Sequence, residues 1–399
     1  MKKTLLTICL VWMCFSLSAQ KIIDLSGKWS FSIDRQDNGE KEKWFSHTLN
    51  DFINLPGSMP EKLKGDEVTA KTQWTGSLYD SSYYYNPYME KYRKEGNIKF
   101  PFFLTPDKHY VGAAWYQKEV NIPADWKGER ILLFLERPHI ETTVWVNGQK
   151  TGMQNSLCVP HQYDITRYVR PGKCTITIRV DNRIKEINVG PDSHSITDQT
   201  QGNWNGIVGR ICLQTTPKTY FDDIQIYPEP EQKLARVKVV IKGTGTAKVK
   251  LSAESFNTDK KHIVPAIQQE IKLNKGVTET EMVLPMGNDM LLWDEFHPAL
   301  YKLKAEVTNG KKTEIKEIQF GMRRFEIKGK WFYVNGRKTQ LRGTVENCDF
   351  PLTGYAPMDV ESWERVFRIC RNYGLNHMRF HSFCPPEAAF MAADRVGFY

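Results

Sequence analysis

The chain has 399 residues, of which 40% are hydrophobic, 12% aromatic and 25% charged, a balance that belongs to ordered globular proteins and excludes disordered and fibrous classes. That length outgrows a single core and predicts two or three domains. The formal net charge is +9, from 55 Lys and Arg against 46 Asp and Glu, but the basic residues are scattered and form no nucleic-acid motif, so no nucleic-acid partner is expected.

At the start, Lys2 and Lys3 precede an apolar run from Leu5 to Leu17, followed by Ser18 and Ala19. This is the pattern of a signal peptide over 1–19, and the run is short of the ~20 residues that span a bilayer. Export to the periplasm or exterior is therefore expected, with no membrane span elsewhere. Six cysteines come after the leader: Cys158, Cys174, Cys212, Cys348, Cys370 and Cys384. They show neither a Cys-x-x-Cys pair nor zinc-site spacing, and are expected mostly as small buried thiols, with room for one disulfide in an oxidising compartment.

Residues 20–229 read as an all-β module, with short alternating segments such as Trp29 to Asp34, Trp115 to Ile122, Ile131 to Glu136, Thr142 to Val146 and Cys174 to Val180. Asn147-Gly148 and Pro171-Gly172 supply turns. A two-sheet sandwich of jelly-roll type is the simplest architecture. The stretch from Val68 to Tyr110 decorates it, and Trp74, Tyr83, Tyr84 and Tyr85 are candidates for an aromatic subsite or for loop packing.

Residues 230–319 carry a second series of strands, including Val237 to Ile241, Lys248 to Ser252 and Tyr301 to Val307, and fit an immunoglobulin-like sandwich. After residue 319 the period changes. Phe325 to Ile327, Trp331 to Val334 and Thr339 to Leu341 are strand-like, and the apolar spacing over Val360 to Tyr373 is helical, with Asp359 as N-cap and Gly374 at the C-terminal end. A strand at Leu375 to Phe380 and a helix from Glu387 to about Arg395 come next. Alternating strand and helix mark the beginning of a parallel α/β domain over 320–399. A (β/α)8 barrel needs roughly 250 residues, so only its opening is expected here, with the rest beyond residue 399.

These stretches resemble glycoside hydrolase family 2, which includes β-galactosidases, β-glucuronidases and β-mannosidases. The resemblance rests on the order of landmarks: Leu25, Gly27, Trp29 and Phe31; Trp115-Tyr116 running to Pro123; Val144 to Gly148; Asp164 to Thr166; and Trp204 to Arg210. It continues through Trp293, Pro298, Leu300 and Tyr301, then Phe320 to Arg323, Val334 to Gly336 and Leu341 to Gly343. Asn376, Arg379, His381 and Pro385 are similar to the family's second barrel strand and its proline-containing turn, and Asp394 to Gly397 to the family's Asp-x-x-Gly. Two departures stand out: His381 lies two residues after Arg379 where the well-known members have three, and Glu346-Asn347-Cys348-Asp349 replaces a His-bearing loop.

The resemblance implies a retaining exo-β-glycosidase, of β-galactosidase type, acting on terminal sugars of glycans. Such hydrolysis needs two carboxylates about 5 Å apart, and in the family both Glu sit on later barrel strands, so no catalytic residue is expected within the chain. The substrate-binding candidates are Arg379 and His381, which alternation sends to one side of their strand, with Glu346, Asn347 and Asp181. Glu346 and Asp349, three apart in a loop, are read as solvated, loop-bracing or substrate-contacting carboxylates. Asp181 and Asn182 close a sandwich strand, where relatives help close the sugar pocket and where an Asx turn is the alternative. No cofactor is expected; some family members use magnesium or sodium, but no matching ligand set is present. A non-catalytic carbohydrate-binding or structural protein is the competing reading, and oligomeric state is left open.

Overall fold

The computed structural model describes residues 21–75, 85–99, 101–185, 196–198, 200, 202–381 and 383–399. The leader at 1–19 and the tyrosines Tyr83 and Tyr84 lie outside the described residues. The molecule is mainly β and built from successive units.

The first unit is a sandwich of two antiparallel sheets. One sheet has six strands in the order Gln149–Asn155, Glu141–Val146, Gly172–Asp181, Ala113–Ile122, Gly27–Asp34 and Asp51–Leu55; the other orders Ile22–Asp24, Gly206–Thr216, Arg130–His139 and His161–Asp164, with Gly57–Ser58 added to Gly206–Thr216. Alternation along Ala113–Ile122 sends Ala114, Tyr116, Val120 and Ile122 into the core between the sheets, against Phe31, Leu133, Ile178 and Leu213. The opposite parity is also buried. Trp115 and Trp145 stack at 4.9 Å on the outer face, where Trp44, Phe45 and Leu49 cover them, so Glu141–Val146 is buried on both sides.

In the second unit, Leu234–Phe256 and Ile263–Pro285, 23 residues each, pair along most of their length. The first half of Leu234–Phe256 also pairs with Tyr220–Glu229 and its second half with Leu300–Asn309, which in turn pairs with Lys312–Phe320. The register shifts between Gly243 and Gly245, whose φ values of 159° and 85° suit glycine. One long strand thus runs through the whole sheet, and its two halves contribute Val237, Val239, Val249 and Leu251 to a single core. The sequence predicts two separate strands, Val237 to Ile241 and Lys248 to Ser252; the irregular Gly243-Thr244-Gly245 interrupts alternation without ending the ladder.

The last unit starts with a small sheet of Phe325–Lys328, Trp331–Val334 and Arg337–Thr339. Gly343–Glu346 then runs parallel to His377–Phe380, and the helix Val360–Asn372 connects them. The Asp359 side chain caps this helix by accepting from Ser362 N at 2.7 Å, and Gly374, with φ 77°, turns the chain at its end. The helix Glu387–Val396 comes after the second strand. Trp363, Phe367, Met378, Ala389, Ala392 and Phe398 form the core of this βαβα unit. Tyr399 lies beside the second strand, donating to Asn376 O at 2.8 Å and accepting from Met378 N at 3.0 Å. No helix among the described residues is long and apolar enough to cross a membrane.

Candidate functional site

Strand ends and the turns after them are where a parallel α/β unit presents polar groups, because the flanks are covered by helices. In the parallel pair, Val345 lies opposite Arg379 and Glu346 opposite Phe380. Met378 and Phe380 face the helix layer, so alternation turns Arg379 to the open side, where it is exposed and paired with no carboxylate among the described residues. His381 extends the pairing by one step, donating its amide to Glu346 O at 2.8 Å. Its Nδ1 lies 3.0 Å from Asn347 Oδ1, an atom that only accepts, which puts the ring proton on Nδ1. The structure therefore brings Arg379, His381 and Asn347 to one end of the parallel pair.

Glu346 belongs to the other face. It is the last residue of a strand, not part of a loop as the sequence suggests, and it shares the parity of Thr344, opposite Met378. Its carboxylate accepts from Cys348 N at 2.8 Å across a turn in which Cys348 adopts φ 64°. Burial raises the Glu346 pKa, and the charge of Asp349 adds to this while the Cys348 amide opposes it. Asp349 is raised as well, mainly by burial, with Asn347 opposing. Glu346 in turn adds to the upward shift that burial gives the thiol of Cys370, on the helix Val360–Asn372.

The first sandwich supplies a wall beside these strand ends. Arg137 reaches across with Nη1 to Cys384 O at 2.8 Å and Nη2 to Pro385 O at 3.1 Å, while Nη2 also meets Cys158 O at 3.2 Å. His139 is buried, stacks on Trp204 at 4.6 Å and meets Asn203 Oδ1 through Nε2 at 3.0 Å. Trp204 packs on Tyr355, whose hydroxyl donates to Glu61 Oε2 at 3.0 Å, and Ser58 Oγ donates to Thr353 O at 2.5 Å. The turn after Gly343–Glu346 is thereby fastened to the sandwich. A cleft of about 1070 Å³ opens between the two, lined by Glu136, Arg210, Asp349, Leu352, Met358 and Glu387. It reaches the N-terminal ends of both helices, the same end of the unit as Arg379 and His381.

Asp181 is placed apart from that cluster, in a closed charge network. Its side chain is fully buried; Oδ1 accepts from Arg183 N and Nε, and Oδ2 from Arg179, Arg183 and Lys185 at 2.6–3.1 Å. Burial opposes its ionisation, but the hydrogen bonds from Arg183 and Lys185 and the charge of Arg179 hold the carboxyl well below the usual range. Its neighbour Asn182 accepts from Gly112 N at 2.8 Å and donates to Tyr110 O at 2.8 Å. In the decorating segment, Trp74 is half-buried and Tyr85 is 83% exposed.

Sequence reasoning missed Arg137, His139 and Asn203. Asn203 Nδ2 donates to Asn182 O at 2.9 Å, so Asn182, Asn203, His139 and Trp204 form one buried chain from the end of the strand Gly172–Asp181 to Tyr355. The only local signal was Trp204 itself, since the partners are far apart in sequence. Among the described residues no group of three or more His, Cys, Asp or Glu side chains is placed to hold a metal ion.

Residues 22–217 match the family model described as glycosyl hydrolases family 2, sugar binding domain, and 219–323 match the model described as glycosyl hydrolases family 2. The chain is similar to a putative beta-glucuronidase of Formosa agariphila, 27% identical over 301 residues, covering 74% of this chain and 35% of that protein. It is 23% identical over 398 residues to a beta-glucuronidase of Paenibacillus borealis, covering 95% and 58%, and 24% identical over 320 residues to a beta-galactosidase of Thermoanaerobacter pseudethanolicus, covering 75% and 40%. The chain thus spans less than two thirds of the length of each of these curated relatives. Its fold is similar to that of a solved glycosyl hydrolase family 2 member from Bacteroides cellulosilyticus, with a TM-score of 0.68 at 19% identity, covering 94% of this chain and 45% of that one.

Proposed function

Because the chain belongs to glycosyl hydrolase family 2, we propose that it provides the sugar-binding scaffold and one wall of the active site of a retaining exo-β-glycosidase. The observation that carries this reading is the meeting of Arg379, His381 and Asn347 at the end of two parallel strands beside the sandwich wall.

In this reading the first sandwich is of jelly-roll type, the second immunoglobulin-like, and the last unit opens a (β/α)8 barrel. Its support is strand order: Gly343–Glu346, His377–Phe380 and the backbone at Tyr399 lie side by side in chain order, as successive barrel strands do. Barrel chemistry occurs at the ends where strands lead into helices, which is where Arg379 and His381 sit. The guanidinium of Arg379 donates charge-assisted hydrogen bonds to the sugar or to a reacting carboxylate, and the His381 ring is oriented by Asn347. The two reacting carboxylates, about 5 Å apart in a retaining enzyme, belong in this reading to later strands of the same barrel. A galactoside is the substrate this reading starts from; a glucuronide would set its carboxylate against Arg379. The Lys2-Lys3 start and the apolar run Leu5 to Leu17 support export, with cleavage near Ala19.

The test is turnover of a panel of aryl β-glycosides (galactoside, glucuronide, mannoside, glucoside) by the natural gene product that contains these residues, with the anomer of the first-formed sugar read by NMR. Retention on one member of the panel is expected. Inversion, or sugar binding without turnover of any β-glycoside, sinks the proposal, and the second result would favour a carbohydrate-binding protein.

A further inference from the structure

Three thiols from three parts of the chain line one cavity of about 50 Å³: Cys158 after the strand Gln149–Asn155, Cys348 after Gly343–Glu346, and Cys384 after His377–Phe380. Two of them are held together by the backbone. Arg137 bonds Cys158 O at 3.2 Å and Cys384 O at 2.8 Å with one guanidinium, so the segments cannot part without losing it. Across this clamp Cys158 and Cys384 line the same small cavity. Cys384 is exposed and Cys158 half-buried, unlike Cys174 and Cys212, which are both buried, Cys174 within the sandwich core.

We propose that Cys158 and Cys384 are a redox pair that closes a disulfide between the first sandwich and the parallel α/β unit. The exposed Cys384 thiol gives its proton to solvent as its sulfur attacks a low-molecular-weight disulfide such as oxidised glutathione; the oxidant's S–S bond breaks, a mixed disulfide forms on Cys384, and one glutathione thiolate leaves. Cys158 then gives its proton to solvent and attacks Cys384 Sγ, forming the Cys158–Cys384 bond and expelling the second glutathione thiolate. Two protein thiols are oxidised by two electrons, and one glutathione disulfide is reduced to two thiols. Cys348 stays out of the exchange. Burial, reinforced by the Glu346 charge, pushes its thiol up to about 12, so it remains protonated. The bond would tie the Phe383–Pro386 segment, just beyond His381, to the sandwich wall. The inference rests on this geometry alone and stands whether or not the glycosidase reading holds.

The experiment treats the full-length protein with reduced or with oxidised glutathione, alkylates remaining thiols with N-ethylmaleimide under denaturing conditions, and maps peptides by mass spectrometry without reduction. The expected result after oxidation is a peptide joining Cys158 to Cys384, two fewer alkylated thiols, and a Tm raised by a few degrees that dithiothreitol reverses. Cys348→Ser keeps the crosslink, whereas Cys158→Ser leaves a lasting glutathione adduct on Cys384. The proposal is overturned if both cysteines remain alkylated after oxidation, if the main linkage involves Cys348, or if Cys384 takes no adduct in Cys158→Ser.

Discussion

Nε2 of His139 lies 3.0 Å from Oδ1 of Asn203, at the buried junction between the first sandwich and the turn after the first parallel strand. Burial pushes His139 down to about 3, with the Arg137 charge helping and the Asn203 bond opposing. His161, inside the same sandwich, is lowered to about 4 by burial, with the Ser156 backbone opposing. Both rings are neutral in the fold, while in the unfolded chain they take up protons below ~6.5. Stability is therefore fully present above that pH and is lost as pH falls toward the folded values. At pH 5 the loss is on the order of 2 kcal/mol per histidine. Urea midpoints at pH 7.5 and 5 check this, and His139→Gln should narrow the gap between them; equal midpoints in the native protein would refute it.

Asp181→Asn separates a structural carboxylate from a sugar contact. The variant leaves Arg179, Arg183 and Lys185 short of a counter-charge in a fully buried position and should cost about 2–4 kcal/mol in chemical denaturation. Substrate KM in the active protein should stay unchanged. An Asp181→Asn protein as stable as the native one, with a raised KM, would put Asp181 in the sugar pocket instead.

Arg379→Ala should behave in the opposite way. Arg379 is exposed on the open face of the strand pair, so its removal should change stability by no more than about 0.5 kcal/mol. On the proposed function, kcat/KM of the active protein falls on the order of 100-fold, and Arg379→Lys restores only part of it, because an ammonium cannot donate in a bidentate fork. Unaltered kcat/KM in Arg379→Ala would remove this residue from the site.

Trp293 joins the second unit to the last helix. Its indole donates to Asp394 O at 2.7 Å, its ring meets Tyr399 edge-on at 5.6 Å, and the Arg323 guanidinium lies over it at 4.6 Å. Trp293→Ala should cost about 3–5 kcal/mol and loosen Glu387–Val396, read as faster amide exchange in that helix. Trp293→Phe keeps most of the packing and loses the bond, so an intermediate effect is expected; exchange that is unaffected in both variants would show that the helix is held by its own unit.

Local signals in the sequence carried far. Alternation located Ala113–Ile122 and Gly172–Asp181 to within two residues, and the helix Val360–Asn372 was legible from its apolar spacing and from Asp359 and Gly374 at its ends. Context defeated the same rules elsewhere. Leu234–Phe256 reads as two strands because the bend at Gly243–Gly245 breaks the period while tertiary pairing continues through it. Glu346 reads as loop because a four-residue strand, Gly343–Glu346, is too short to show alternation, and its pairing with His377–Phe380 is more than thirty residues away in sequence. Arg379 and His381 could be nominated from their strand. The wall of Arg137, His139 and Asn203 could not, since its contacts join residues from distant parts of the chain.

Among the described residues, Arg137 bonds only carbonyl oxygens, those of Cys158, Cys384 and Pro385. Every residue type offers that oxygen, so this attachment is blind to side-chain identity. The segments it joins can exchange their side chains freely without weakening the guanidinium's hold, provided the backbone keeps its path. A junction of this kind leaves the rim of the neighbouring cleft open to chemical diversification at constant geometry, and makes the arginine a position where a change would be felt on both sides.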